Sequence, residues 1–367
     1  MYIIKEMSEQ LRKLNRLSRT CFDITLSPGE TGCTRIRNRY LKMLLDGSCS
    51  FDCAYCGVCQ NENPVSFSPE ELAPLILKVW RNHWIDGLFL STGIPRDTEA
   101  SMEDLLQTAH LLRQGGFTGY LHLKVVPGAL RGDIAEAARL ADRISINLEA
   151  TDKSRLSEIA SVKNYESDLL RRHAWVFEAA PNRHTTQIVV GAAEETDAEI
   201  LSFMDREYQR YAPARIYYSG LIPLPQTPLA ASAPASPARI RGLYAVDALV
   251  RTYGYSLHEV RGALGEEGML LAGDPKINCA GSVRLDPRSA SREELIRVPG
   301  IGPKAVDRIL AMRREGVVIS HDTLKEMGVI LKRALPHLRI DGSIQSRLPS
   351  LTYTRALSTD TSHHPRP

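Results

Sequence analysis

The sequence predicts an α/β fold followed by a small all-helical unit, and three observations carry that expectation. Six short apolar runs alternate with amphipathic helical patterns between Lys42 and Leu224, Ser and Thr caps mark the helix starts, and a glycine turn joins two helical stretches after Ser291. At 367 residues with 43% hydrophobic content, the chain is long enough for one large core and a small one.

The six runs are LKMLLDG, DGLFLSTG, YLHLKVVPG, RISINLEA, TTQIVVGA and ARIYYSGLI. Each is apolar on nearly consecutive residues, as strands buried on both faces of a parallel sheet are. Ser68-Pro69-Glu70-Glu71 supplies an N-cap, a proline at the first helical position and a capping-box glutamate ahead of LAPLILKVWRNHW. Thr196 with Glu199 repeats the device before ILSFMDREYQRY. Such alternation requires crossover connections, either in an open doubly wound sheet or in a barrel, complete or partial. Periodicity does not choose between them, but both bind ligands at the carboxyl ends of their strands.

The domain boundaries follow composition: an N-terminal extension 1–35, an α/β core 36–224, a linker and helical connector 225–290, a helical unit 291–340 and a tail 341–367. PLPQTPLAASAPASPA reads as the connector, and the tail is polar, aperiodic and expected to be disordered. No run of about eighteen apolar residues occurs and MYIIKEMSEQLRKLNR lacks the pattern of a secretory signal, so the expectation is a cytoplasmic protein without a membrane partner. Net charge is only +3, yet Gly281–Ile340 holds twelve Lys and Arg against seven Asp and Glu, a local excess of five. One end of the chain is therefore basic.

Four of the seven cysteines fall within CSFDCAYCGVC. In a reducing compartment such clustering points to a metal or to catalysis rather than to disulfides. Cys49, Cys53 and Cys56 are spaced C-x3-C-x2-C, which lets one turn wrap three corners of a [4Fe-4S] cube and leaves one iron open. Structural zinc is the plain alternative, though it draws its ligands from separated pairs, and a ferredoxin-like carrier needs a second cysteine run. Cys21, Cys33, Cys59 and Cys279 are each explained as buried small hydrophobes, or together as ligands of an additional cluster. His122 and Lys124 alternate along one strand; Lys124, if buried, needs a partner or a function, so it is a candidate for the substrate site.

The cysteine spacing, with Tyr55 before the third thiol and the motif at the end of the first strand, resembles the radical S-adenosylmethionine (radical SAM) superfamily. The resemblance implies a partial (β/α)6 barrel of the TIM type, a [4Fe-4S] cluster on Cys49, Cys53 and Cys56, and SAM as cosubstrate. It also implies reductive cleavage of SAM to a 5′-deoxyadenosyl radical that abstracts hydrogen from a substrate, with a reductant such as flavodoxin or ferredoxin as partner. By the same resemblance Ser91, Thr92 and Gly93 in LFLSTG meet the SAM amino group. Ser145, Asn147 and Glu149 in SINLEA reach ribose or carboxylate, and Gln187, Val189 and Gly191 in QIVVGAAEE lie near adenine.

VPGIGPKA satisfies the dinucleotide pattern G-x-G-x-x-A with Gly300, Gly302 and Ala305, but no βαβ unit surrounds it and the nicotinamide reading is rejected. A helix, a PGIG turn and a second helix resemble instead the helix-hairpin-helix module. There Gly300 and Gly302 bring the backbone close to a phosphate and Lys304 and Arg308 add positive charge. Together with GYLHLKVVPGA, ADRISINLEA and LYAVDALVRTYGY, the chain resembles radical SAM proteins with a C-terminal helix-hairpin-helix regarded as DNA modification or repair proteins. The resemblance implies a nucleic-acid substrate. Two alternatives stay open: tailoring of a free nucleoside or nucleotide, with sulfur insertion if an additional cluster exists, and an Fe–S protein that binds DNA without catalysis.

Overall fold

The structure is a computed structural model, and it describes residues 2–19, 39–282, 284–340 and 343–344. The chain divides into two compact units, Met1–Cys279 and Ala280–Pro367.

In the first unit, helix α1 (Tyr2–Arg19) precedes strand β1 (Tyr40–Leu44). Strands and helices then alternate: α2 (Pro69–Arg81), β2 (Gly87–Ser91), α3 (Thr98–Gln114), β3 (Tyr120–Lys124), α4 (Arg131–Leu140), β4 (Arg143–Ser145) and α5 (Lys153–Ile159). A π turn, Tyr165–Leu170, runs into α6 (Arg171–Ala179), followed by β5 (His184–Val190), α7 (Asp197–Arg210) and β6 (Arg215–Gly220). The long α8 (Pro237–Tyr253) and the short α9 (Leu257–Val260) and α10 (Pro275–Cys279) end the unit.

All six strands pair in parallel in the order β1-β2-β3-β4-β5-β6. A doubly wound sheet reverses its order at a switch point, and this one does not. The sheet is therefore a half-barrel, with helices along its outer face. The capping boxes expected at Ser68 and Thr196 are present, Ser256 closes another on α9, and the side chains of Asp97, Asp152 and Ser236 cap α3, α5 and α8.

Register assigns the two faces of the sheet. Met43, Leu90, Leu123 and Ile144 form one row, and with Leu88, Leu121, Ile188, Val190 and Ile216 they are buried in the core. The alternate positions form the lumen, because Leu44, Ser91 and Lys124 from that set line the cavity at the strand ends. The lumen rows are polar and aromatic: Lys42, Phe89, His122 and Arg143, then Lys124, Ser145, Thr185 and Arg215.

The stretch read as a connector lies on the cysteine loop. Leu229 N–H donates to the carbonyl of Ala54 at 3.3 Å, and a side chain at Gly57 would meet Leu224 at 2.9 Å.

The second unit holds α11 (Arg292–Arg297), α12 (Pro303–Arg314), α13 (His321–Glu326) and α14 (Leu331–Ala334), then the two-residue strands β7 (Arg339–Ile340) and β8 (Ser343–Ile344). The four helices form two helix–turn–helix pairs around buried Leu295, Ile301, Val306, Ile309 and Leu324. Their turns meet, since Ile330 N–H donates to the Gly300 carbonyl at 2.9 Å. Gly300 has φ +84°, and a Cβ there would stand 2.6 Å from the carbonyl oxygen of Ile330. Gly300→Ala is accordingly expected to destabilise the second unit by about 1–3 kcal/mol, read as lost amide-exchange protection at Leu295, Val306 and Leu324.

Candidate active site

The cysteine loop leaves β1 and has almost no regular structure before α2, so its amides are satisfied by neighbouring strand ends. Gly93 N–H donates to the Asp46 carbonyl and Ser50 N–H to that of Ile94, both at 2.8 Å, clasping the loop to the exit of β2. Gly93 can be nothing larger, because a Cβ would collide with the carbonyl of Ser48. Further along, Ala54 N–H donates to Ile159 at 2.8 Å, and the Asp52 carboxylate accepts from the amides of Ser161 and Val162 at 3.2 and 3.3 Å. Partial burial opposes ionisation of Asp52, but the Ser161 hydroxyl, which also donates to the carboxylate, and these amides outweigh it and hold the carboxyl below its ordinary range.

Thus anchored, the loop presents Cys49, Cys53 and Cys56 to a cavity of about 140 Å³ at the carboxyl ends of β1 to β4. Tyr55, Ser91, Thr92, Gly93, Lys124 and Glu149 line the same cavity, so six of the residues singled out from sequence stand with the three thiols. Among the described residues no three Cys, His, Asp or Glu side chains converge closely enough to hold a single metal ion.

Sequence reasoning missed Lys163, which also lines this cavity. The Asn164 side chain caps the π turn by accepting from the amides of Glu166 and Ser167, and this places Lys163 at the barrel mouth. Its ammonium lies 3.3 Å from Glu149 Oε1 and 5.7 Å from the Phe51 ring centroid. Both side chains of the pair are more than nine-tenths buried. Burial alone would lower Lys163, but Glu149 and Cys53 outweigh it and hold the lysine above its ordinary range. Burial pushes the Cys53 thiol up, against the pull of Lys163.

Glu149 itself sits at φ +66°, a costly conformation for a non-glycine residue, fixed by its N–H on Gln187 O at 2.9 Å and by Val189 N–H on its carbonyl at 2.8 Å. Its second carboxylate oxygen, Oε2, is buried without a hydrogen-bond partner. Such an atom is expensive unless a ligand supplies the donor.

Other candidates stand apart from the cavity lining. Ser145 is bound by His122 Nε2 at 2.9 Å, and His122 is held neutral, well below its ordinary pKa, first by burial and then by Arg143, Lys42 and Lys124. Asn147, Gln187 and Val189 are buried. Gly191 adopts φ +84° and donates its N–H to Glu195 at 2.6 Å. The Cys59 thiol faces the carbonyls of Cys56 and Cys53 at 3.0 and 3.6 Å. Cys279, at the end of α10, has its thiol 3.9 Å from the carbonyl of Val260 on α9, and Cys21 and Cys33 lie outside the described residues. Gly300, Gly302, Lys304 and Arg308 belong to the second unit, where Lys304 and Arg308 are exposed and Arg308 donates to Met327 O at 3.1 Å.

A parallel half-barrel whose first loop brings three thiols to a cavity at the strand ends defines a class of cofactor-dependent barrel proteins. Residues 46–206 match the radical SAM superfamily, so this part of the chain carries a radical SAM domain, a domain whose cofactors are a [4Fe-4S] cluster and SAM. No curated protein matches the chain. Similar solved structures include the [FeFe]-hydrogenase maturase HydG from Carboxydothermus hydrogenoformans, at 14% identity and TM-score 0.47, covering 58% of this chain and 50% of that one. Methylornithine synthase (PylB) aligns at 15% identity and TM-score 0.48, covering 58% and 62%. Coproporphyrinogen III oxidase (HemN) from Escherichia coli aligns at 15% identity and TM-score 0.40, covering 65% and 62%. The chain thus spans half the length of the HydG structure. Among the described residues no helix is long and apolar enough to cross a membrane.

The donor set suits these cofactors: three thiols face the cavity, Gly93 lets the loop close on the strand end, and Glu149 Oε2 waits for a donor. Removing one member of the buried pair is the sharpest test of this geometry. Lys163→Met is expected to destabilise the apoprotein by about 3–5 kcal/mol in urea unfolding, and adding Glu149→Gln to recover most of that loss.

Proposed function

We propose that this radical SAM enzyme acts on a nucleic-acid or nucleotide substrate, with the cluster held by Cys49, Cys53 and Cys56. When bound, the cluster and SAM together supply a 5′-deoxyadenosyl radical able to take a hydrogen atom. The chain's own residues do the rest. Lys163 and Glu149 form a rigid polar wall, Glu149 Oε2 accepts from a hydroxyl or ammonium of the cosubstrate, and the Thr92–Gly93 turn offers main-chain groups beside it. Phe51, Val125 and Val126 give the cavity an apolar side that excludes water from a reactive intermediate. A reductant such as flavodoxin or ferredoxin delivers the electron.

The observation that carries the nucleic-acid reading is the second unit. Helix α12 starts at Gly302 with no side-chain cap, whereas α11 and α13 are capped by Ser291 and Ser320. Its first amides are thus available to an anion, in a segment whose charge excess is positive. Not every cation serves this face: Arg313 is spent on the carbonyls of Pro287 and Ala290, and Arg292 on Asp307. Lys304, exposed in the first turn of α12, supports this reading as a cation on the same turn as those amides.

The test is anaerobic reconstitution followed by dithionite and SAM. Formation of 5′-deoxyadenosine with about four iron atoms per chain supports the chemistry, and its loss in Cys49→Ala, Cys53→Ala or Cys56→Ala locates the cluster. DNA affinity of the holoenzyme is expected to fall steeply with salt, and Lys304→Glu to weaken binding while reducing the log–log salt slope by about one. Affinity indifferent to salt and to Lys304 would leave the free-nucleotide alternative.

A further inference from the structure

Cys53 is set apart from the other two thiols of its loop. It is buried, whereas Cys49 and Cys56 are half-buried. The residues on either side of it are both tied to one segment of the barrel rim: Asp52 accepts from the amides of Ser161 and Val162 at 3.2 and 3.3 Å, and Ala54 N–H donates to the Ile159 carbonyl at 2.8 Å. That segment leads directly into Lys163, so the clasp that seats Cys53 also sets the lysine against it. The Lys163 ammonium, 3.3 Å from Glu149 Oε1, hydrogen-bonds the Cys53 sulfur as well. Lys163 acts on that sulfur more strongly than Glu149 does, so the ion pair is not neutral as felt at the thiol. A buried ion pair adds little to stability by itself, and Glu149 is held at φ +66° to make this one.

We propose that Lys163 sets the ease of electron entry at this site: its ammonium, hydrogen-bonded to the Cys53 sulfur, favours the reduced over the oxidised state of the cluster that the three thiolates would hold. This rests on the placement of the cluster on Cys49, Cys53 and Cys56 proposed above. One electron from a flavodoxin- or ferredoxin-type reductant adds one negative charge to the thiolate-bound group and transfers no atom. A fixed cation and a hydrogen bond to a ligating sulfur both stabilise that added charge. Burial strengthens the effect, because little water is present to screen it. Glu149 opposes the lysine and limits the gain, so the two residues of the pair act on the same equilibrium with opposite signs.

The experiment is an anaerobic redox titration of the reconstituted holoenzyme, followed by the paramagnetic resonance signal of the reduced cluster, with iron content measured in parallel. Lys163→Met is expected to make reduction about tenfold less favourable, a shift of about 59 mV to more negative potential for a one-electron couple. Glu149→Gln should shift the potential the other way, and Lys163→Arg should stay near the native value. Where Lys163→Met lowers iron content, the double variant Lys163→Met/Glu149→Gln compared with Glu149→Gln alone measures the same contribution in a background without the unpaired carboxylate, and the double variant should again be the harder to reduce. Shifts of opposite sign mark a charge effect, which a purely structural role of the pair does not produce. A potential unchanged on removing Lys163 in both backgrounds, or Lys163→Met and Glu149→Gln moving it the same way, overturns the inference. Unchanged iron content and signal in Cys53→Ala overturn the cluster placement instead, so the two readings fail on different measurements.

Discussion

Three thiols must reach the mouth of the barrel on a loop with almost no secondary structure of its own, and every buried amide of that loop needs a partner. The half-barrel meets this constraint because its strand ends share one rim. The exit of β2 supplies Ile94 and Gly93, the end of α5 supplies Ile159, and the segment after β6 supplies Leu229. The thiols are thus placed by groups distant in sequence, and the absence of a side chain at Gly93 sets how closely the loop can dock.

The same rim concentrates charge. Lys163 and Glu149 are removed from water together, and each offsets the desolvation of the other while Cys53 sits beside the ammonium. A buried pair of this kind is poor value for stability alone. Its position on the cavity wall makes sense as preorganisation: polar groups held rigid before a ligand arrives do not have to be ordered when it does. Lower in the barrel His122 is bound to Ser145, and beside β6 Asp247 of α8 gathers Arg215, Arg251 and the hydroxyls of Tyr208 and Tyr218. The helix-facing side of the strands carries the hydrophobic driving force, which leaves the lumen available for chemistry.

How much of this was legible depended on the range of each interaction. The caps at Ser68 and Thr196 were readable because a capping box closes over three residues. Cys49, Cys53 and Cys56 were readable for the same reason. Ser91, Thr92, Gly93 and Glu149 came from the family resemblance and Lys124 from the alternation of its strand, and the five share the cavity. Lys163 had no such mark: it lies in an irregular SVKN tetrapeptide, and its value arises only when the loop before the π turn folds back over Glu149. The proline and alanine run after β6 looked like a spacer by composition, yet a backbone hydrogen bond from Leu229 to Ala54 ties it to the cysteine loop.

By itself the sequence determined the strands, the helix starts, the three clustered thiols and the glycine turn of the second unit, because periodicity, caps and short spacings are settled within about ten residues. Only the tertiary structure decided between barrel and open sheet, told the lumen face from the helix face, and brought Lys163 to Glu149 beneath Cys53. Those outcomes depend on which strands pair and how the crossovers pack, interactions between residues far apart along the chain that no local pattern encodes.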